Sequence, residues 1–204
     1  MYISKINLPP DHFSLSSFIQ ENGFATLVST LDFSPTASHI PLYYLKDEKT
    51  SYLYGHVAKG NEIVKALEQN NQFLAIFMNS HAYVSSSWYD HVNVPTWNYI
   101  AAHVYGKAEI IAGTELVDSI NLLVEQYESG RSDRFSTDQM NDKDFLRQLR
   151  GIVGFKIRIE KTEVSFKLSQ NRNKKDYNNI IANLDQGTEM EKMIAKKMKL
   201  NRKI

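Results

Sequence analysis

The sequence predicts a mainly β protein of the α+β class, built as an antiparallel sheet or small barrel with inserted helices. Within residues 154–168, Phe155, Ile157 and Ile159 alternate with charged residues, which is the period of a half-buried strand. Residues 73–78 form an unbroken apolar run of six, a length typical of a strand buried on both faces. Strand-like segments dominate and follow one another along the chain, which favours an antiparallel arrangement.

The other strands are predicted from β-rich segments bounded by turn residues. Pro41 lies inside one of them and predicts an edge strand or a bulge, because proline cannot donate a ladder hydrogen bond. Gly106 predicts a bulge or bend in another. A turn is predicted at residues 32–36, which contain Pro35. The predicted strands cover residues 24–30, 38–45, 51–57 and 99–111.

Helices are predicted wherever apolar residues recur at helical spacing. Leu15, Phe18 and Ile19 share one face, with Ser14 as a candidate N-cap, so the first helix is predicted over residues 14–22. The same pattern predicts helices at residues 61–70, 116–127 and 142–150, and from residue 188 onward.

Composition excludes several classes of function. The 204 residues include no Cys, so disulfides, thiolate metal sites and thiol catalysis are excluded. No apolar stretch approaches the ~18 residues of a membrane span. The amino-terminal residues also lack the pattern of a secretory signal. We therefore expect a soluble cytoplasmic protein with no membrane contact.

Charge is unevenly distributed along the chain. Residues 172–204 carry nine basic and four acidic residues, whereas residues 1–171 carry 15 basic and 19 acidic residues. The basic end could contact nucleic acid or an acidic partner. A solvated helical face is the other interpretation, and it is favoured because charge runs are usually solvated. The sequence contains no helix-turn-helix, zinc-finger, Rossmann or Walker A pattern.

Several polar groups indicate a ligand site. Residues 55–61 join a strand to a helix start and contain His56 and Lys59, which suits either a phosphate cradle or a plain solvated turn. The histidines at 39, 56, 81 and 103 have no metal-ligand spacing, so no metal is expected. No nucleophile elbow surrounds the serines at 85–87. The nearby aromatic residues could stack on a planar ligand or belong to the core.

Six segments, taken in order, resemble the PaiB family, whose members are described as FMN-binding negative transcriptional regulators. The resemblance covers residues 1–184. The segments are FATLV (24–28), ASHIPL (37–42), GHVAKGN (55–61), HAYVSSSWY (81–89), VPTWNY (94–99) and FKLSQNR (166–172).

The resemblance implies a split β-barrel with peripheral helices, related to pyridoxamine-phosphate oxidases, in which two subunits pair and two FMN molecules lie at the interface. It implies a split-barrel FMN-binding domain at residues 1–184, and the charge distribution and helical spacing predict a basic helical tail at residues 185–204. The implied FMN-binding residues are Ser38, His39, His56, Ala58, Lys59, Asn61, Tyr83, Val84, Ser85, Ser86, Trp97, Asn98, Lys167, Gln170 and Arg172.

The resemblance also implies roles for these residues. His56, Lys59 and Asn61 would face the phosphate, and residues 83–86 would lie against the isoalloxazine or ribityl chain. Lys167 and Arg172 suit charge-assisted hydrogen bonds to a phosphate. His56 and Val57 stand where related oxidases usually have Ser and Arg, which predicts weaker phosphate binding or substitution by other residues.

Three functions follow as hypotheses. The first is a homodimeric FMN-binding regulator with DNA contact through the basic tail. The second is a flavin-dependent oxidoreductase acting on a small planar or phosphorylated substrate, with His39 and His81 as candidate acid or base groups. The third is a haem-binding split barrel with a strand histidine as ligand.

Overall fold

The computed structural model describes residues 1–69 and 71–201 and divides into two compact units. The first unit consists of Met1–Phe13, Met78–Ala102 and Glu163–Ile204. The second consists of Ser14–Phe77 and His103–Thr162.

Six antiparallel strands close into a barrel, in the order β1-β2-β3-β6-β5-β4, which confirms the predicted fold class. Closure removes the exposed sheet edges that an open sheet would present. The strands are β1 (Phe24–Leu31), β2 (Ser34–Lys46), β3 (Ser51–Ala58), β4 (Gln72–Val84), β5 (Thr96–Ile111) and β6 (Ile152–Lys167).

The hairpin between β1 and β2 is tighter than the predicted turn. Asp32 and Phe33 both have positive φ, 49° and 63°, which is the pattern of a two-residue turn that matches the twist of paired strands. Pro35 therefore belongs to β2 and pairs with Thr30. Pro41 lies opposite Phe24, at the last β1 pair, and not on a free edge.

In the part of the chain that the structure describes, one α-helix precedes β1, three lie between strands and two follow β6. Most end within a few residues of the predicted limits, and Ser14 caps the first helix by accepting a hydrogen bond from Ser17 N–H. The sequence analysis assigned no element to the fifth helix. The helices are α1 (Leu15–Glu21), α2 (Ile63–Glu68), α3 (Gly113–Glu128), α4 (Asp142–Leu149), α5 (Lys174–Leu184) and α6 (Glu189–Asn201). No helix of the described residues is long and apolar enough to cross a membrane.

The second unit has its core inside the barrel, where alternate residues of each strand point inward. Leu27, Leu42, Leu53, Phe77 and Phe155 are all fully buried. Each comes from a different strand, so five of the six strands contribute to this apolar core through these residues.

The first unit has a core formed in part by its two carboxy-terminal helices. Ile180 and Leu184 of α5 and Ile194 and Met198 of α6 are fully buried. The Tyr177 hydroxyl donates to the Met198 carbonyl oxygen at 2.8 Å, which links the two helices. The predicted basic tail thus contains a packed helix, and the domain limit at residue 184 stays a prediction.

Candidate functional site

Residues 55–61, hereafter the phosphate turn, leave β3 and lead towards α2. The Lys59 N–H donates to the Gly151 carbonyl oxygen at 3.0 Å, and the Asn61 N–H donates to that of Ala58 at 2.9 Å. Ala58 and Lys59 are exposed. Because α2 has only six residues, its dipole contributes little, and the Lys59 ammonium group supplies most of the attraction for an anion.

Asn61 and Ser38 form one hydrogen-bonded group although they are 23 residues apart. The Ser38 hydroxyl and the Ile63 N–H each donate to Asn61 Oδ1 at 3.0 Å. Both bonds use the oxygen, so the Nδ2 donors of Asn61 have no partner among the described residues. The amide thereby presents N–H groups suited to an oxygen-rich ligand.

His56 is half-buried on β3, and its Nδ1 is buried without a hydrogen-bond partner among the described residues. Burial lowers the pKa of His56 below its usual 6.5, because a charged imidazole is desolvated there. The imidazole is therefore neutral at pH 7. A buried ring nitrogen without a partner is costly, and a bound water or ligand would satisfy it.

The lowered pKa of His56 predicts a pH-dependent stability. Below pH 6.5 the unfolded chain binds the proton more readily than the folded chain, so stability is fully present above pH 6.5 and falls as the pH falls towards the lowered value. We expect the urea midpoint of the wild type to decrease between pH 7.5 and 5.5, and His56→Gln to remove part of that decrease. His12→Gln, at an exposed position, is the control, and an equal pH profile for all three proteins would contradict the prediction.

His39 lies on the outer surface of β2, in the same unit. Its Nδ1 is 3.1 Å from the Thr26 hydroxyl, and its ring stacks on Phe24 with centroids 6.3 Å apart. The ring is thus oriented by two β1 residues while its other edge is exposed.

The remaining predicted residues lie in the first unit, where an exposed aromatic pair is prominent. Tyr83 and Trp97 are 44% and 51% exposed, with ring centroids 5.7 Å apart in an edge-on arrangement. Val84, next to Tyr83, is fully buried. Ser85 caps the short 3-10 helix that contains Ser86, accepting a hydrogen bond from Ser87 N–H.

A bend at residues 168–172, hereafter the Ser169 bend, follows β6. Ser169 has a φ of 60°, a left-handed conformation that is rare for residues other than glycine. Its hydroxyl donates to Asn98 Oδ1 at 2.9 Å, and the Gln170 side chain bonds both the Phe166 carbonyl oxygen and the Leu168 N–H. Such strain persists only where surrounding contacts enforce it, and it is frequent at functional sites.

Ser169→Ala removes the hydroxyl that holds this bend and leaves the buried Asn98 oxygen without its donor. We expect a loss of about 1–3 kcal/mol in the free energy of unfolding, the cost of an unsatisfied buried polar group. Ser87→Ala, at an exposed hydroxyl, serves as the control. Chemical denaturation measures the free energy of unfolding of both variants. Equal values for Ser169→Ala and Ser87→Ala would contradict the role given to the bend.

The Ser169 bend directs Arg172 across the ring of Tyr89. The guanidinium carbon is 4.3 Å from the ring centroid, and Nη2 donates to the Tyr89 hydroxyl at 3.3 Å. Arg172 Nε is buried and has no partner among the described residues. Arg172 also lines a cavity of about 120 Å³ together with Lys167 and Asn98, so three predicted residues meet there.

The structure therefore brings the predicted residues together in part. Ser38 meets Asn61 in one unit, and Asn98, Lys167 and Arg172 share a cavity in the other. The sequence analysis missed the contributions of Thr26, Ser169 and Tyr89. All three lie within quoted segments, but the roles of Ser169 and Tyr89 depend on a backbone angle and on a contact 83 residues away.

One further group could hold a cation, and it contains none of the four histidines considered from the sequence. Asp90, His91 and Asp176 have ligand atoms within 4.8 Å of one another. The oxygens of Asp176, however, already accept hydrogen bonds from Asp90 N–H and from Asn173. Asn173 caps α5 by accepting from the Asp176 N–H, and the buried Asp176 carboxylate holds the Asn173 side chain and the Asp90 backbone in place.

A family model described as "Putative FMN-binding domain" matches residues 1–161. The chain belongs to this FMN-binding family. FMN is its cofactor. A relative from Bacillus subtilis (strain 168), "Protease synthase and sporulation protein PAI 2", is 42% identical over 184 residues, which cover 90% of this chain and 89% of that protein. The resemblance to the PaiB family is thereby confirmed.

Solved structures similar to this FMN-binding family member share its fold. One is the FAD and heme binding protein of Mycobacterium smegmatis, with a TM-score of 0.58, 17% identity, and coverage of 75% of this chain and 69% of that one. Another is the flavocytochrome Anf3 of Azotobacter vinelandii, with a TM-score of 0.56, 14% identity, and coverage of 79% and 70%. At these identities the likeness establishes the split barrel alone.

The donor groups of the phosphate turn fit the FMN that the family binds. FMN carries a phosphate dianion, which needs several N–H donors and a positive charge. Lys59 supplies the charge, Asn61 supplies free amide donors, and the unpartnered Nδ1 of the neutral His56 supplies a donor when it carries the ring proton.

Proposed function

We infer that this chain is a homodimeric FMN-binding protein of the PaiB type that acts as a negative transcriptional regulator. The observation that carries the inference is the donor set of the phosphate turn, where Asn61 is fixed by Ser38 and His56 Nδ1 lacks a partner among the described residues. In this proposal Lys59, Asn61 and His56 bind the phosphate, and the exposed backbone at Ala58 lets it approach.

The other predicted residues contact or position the rest of the flavin. Tyr83 and Trp97 offer exposed aromatic faces for the isoalloxazine, and His39 approaches it from β2. Ser85 and Ser86 face the ribityl chain. Val84 and Asn98 are fully buried, so they act through the backbone and through the neighbours that they hold.

Lys167, Gln170 and Arg172 close the site in this proposal. Lys167 and Arg172 bring positive charge to one cavity, and Gln170 fixes the Ser169 bend that presents Arg172. When bound, FMN supplies one- and two-electron redox chemistry, while the protein binds it, orients it and limits the access of water.

The homodimer is supported by large apolar side chains that one chain leaves exposed. Phe24, Met78 and Trp97 are 68%, 53% and 51% exposed. A second chain could cover these side chains, because large exposed apolar residues are frequent at subunit interfaces. Light scattering of the purified protein is expected to give twice the mass of one chain, and Trp97→Asp is expected to shift it towards the monomer.

Direct DNA contact is proposed through the basic tail, residues 185–204. Lys192 contacts Glu189 and Lys199 contacts Asp185, so these cations are paired within the chain. Lys196 is exposed. Deleting the tail would also remove buried residues of α6, so Lys196→Glu is the cleaner test. It should weaken DNA binding and reduce its salt dependence, and unchanged binding would argue against this contact.

A flavin-dependent oxidoreductase is the second candidate function. The observation that favours it is the pre-organised Arg172 beside cavities of the first unit, because a regulator that only binds flavin has no need of an adjacent ligand space. Anaerobic loss of the flavin absorbance on addition of NADH or NADPH, and its return with an acceptor, would support this function. A flavin that neither donor bleaches would count against it.

Lys59→Ala tests the phosphate turn directly. Removing a charge-assisted hydrogen bond to a phosphate should weaken FMN binding about tenfold or more. Lys65→Ala, which removes an exposed lysine of α2, is the matched control and should bind FMN as the wild type does. Quenching of FMN fluorescence on titration measures both dissociation constants. An unchanged constant for Lys59→Ala would refute the phosphate assignment.

A further inference from the structure

A cavity of about 620 Å³ lies in the first unit, beside the Ser169 bend. Its volume is within the range of small-molecule sites. Its walls come from the amino-terminal segment and from the carboxy-terminal part of the unit. The lining residues are Lys5, Ile6, Leu8, Pro9, Pro10, Asp11, Gln170, Arg172, Tyr177 and Asn201.

The polar groups of this cavity favour an anion. Lys5 and Arg172 are cationic, and Asp11 is the one carboxylate among the lining residues. Two polar side chains of the wall are already occupied within the protein. The Tyr177 hydroxyl donates to the Met198 carbonyl oxygen, and the Gln170 side chain bonds the Phe166 carbonyl oxygen and the Leu168 N–H. The cations therefore dominate what a ligand would meet.

Arg172 is built for ligand binding rather than for an internal ion pair. Its guanidinium is held against Tyr89, and among the described residues Nε has no hydrogen-bond partner although it is buried. The strained φ of Ser169 and the bonds of Gln170 fix the backbone from which Arg172 extends. A fixed, planar guanidinium with a free donor matches a carboxylate or phosphate group.

We propose that this cavity is a binding site for a small amphipathic anion, whose carboxylate or phosphate pairs with Arg172 and Lys5. The apolar part of the ligand lies against Ile6, Leu8 and the two prolines at positions 9 and 10. This proposal rests on the proposed function only through Arg172, because Arg172 is assigned both to the flavin site and to this cavity. Lys5 lines the larger cavity but not the smaller one that Lys167 and Asn98 share, so it distinguishes the two sites.

The test uses the full chain loaded with FMN and titrated calorimetrically with phenyl phosphate, benzoate, inorganic phosphate and the uncharged benzamide. Phenyl phosphate or benzoate should bind, benzamide should not, and inorganic phosphate should bind more weakly because it lacks an apolar part. A preference between the first two identifies the anionic group. No binding of any anion, or equal binding of benzamide, would overturn the proposal.

Single-residue variants identify the residues that bind the anion. Arg172→Gln should weaken it about tenfold to a hundredfold, as expected for loss of a charged hydrogen-bond partner, and Lys5→Ala should weaken it a few-fold. Arg147→Gln, at an exposed arginine of α4, should change nothing. Unchanged binding by both Arg172→Gln and Lys5→Ala would overturn the proposal. If Arg172→Gln does not fold, Lys5→Ala alone decides.

Flavin absorbance measured on the same samples separates this proposal from the proposed function. Anion binding without FMN retention would support the cavity and refute the flavin site. FMN retention without anion binding would support the flavin site and refute the anion site in the cavity. Lys5→Ala should keep its flavin, and joint loss of flavin and anion in that variant would assign the cavity to the flavin itself and overturn a separate site.

Discussion

Gly106→Ala should destabilise the protein severely, by about 3 kcal/mol or more of unfolding free energy, or prevent folding. A Cβ at position 106 would lie 2.0 Å from the Arg158 carbonyl oxygen and 2.8 Å from a methyl group of Ile157. The clash is with backbone of β6, which cannot move without breaking its pairing with β3. Glycine is therefore required here by the close approach of two strands.

The control for this substitution is Gly130→Ala. A Cβ at position 130 would meet nothing within 4 Å, and the residue has no positive φ. Its urea midpoint should equal that of the wild type or exceed it slightly. If Gly106→Ala has the same stability as Gly130→Ala, the packing of β5 on β6 is not as described.

Ile194→Asp should be comparably disruptive, costing about 4 kcal/mol or more, because it places an unpaired charge in an apolar core. Ile194 is fully buried on α6, in the part of the chain that the charge pattern identifies as a basic tail. The variant should lose thermal stability by many degrees. The loss would show that this helix belongs to the folded core of its unit.

Met190→Asp provides the matched control on the same helix. Met190 is 46% exposed, and an acidic residue in the first helical turn is electrostatically favourable. Its melting temperature should stay within a few degrees of the wild type. Similar melting temperatures for both aspartate variants would mean that α6 is not packed through Ile194.

Much of the barrel could be predicted from sequence because its strands alternate clearly. The strand at β6 was predicted from the alternation that begins at Phe155, and the first helix from the apolar face that begins at Leu15, with Ser14 as the candidate cap. The hairpin at Asp32 and Phe33 could not be predicted from the sequence, because an aromatic residue at positive φ is unusual and the following proline indicates a longer turn.

The fifth helix shows a signal that the sequence analysis did not use. Asn173 accepts a hydrogen bond from Asp176 N–H, and Tyr177, Ile180 and Leu184 form a buried stripe at helical spacing. Charged and polar residues around the stripe reduce the contrast on which the pattern depends. This helix was predictable in principle.

The residues of the candidate site are named by the family resemblance and stay a prediction, whereas their arrangement could not be predicted from the sequence. The family resemblance identifies both Ser38 and Asn61, yet their hydrogen bond joins positions that no local pattern relates. Likewise, Arg172 was expected to meet a phosphate, whereas its packing on Tyr89 depends on the path of the chain after Ser169. Such contacts follow from tertiary structure.

The most direct test of the account is the visible spectrum of the purified protein after incubation with FMN and removal of the excess. The account predicts a retained two-band flavin spectrum, with one FMN per chain released on denaturation, and a loss of most of that absorbance in Lys59→Ala but not in Lys65→Ala. A colourless wild-type protein, or one that retains FMN equally in both variants, would contradict the assignment of the phosphate turn.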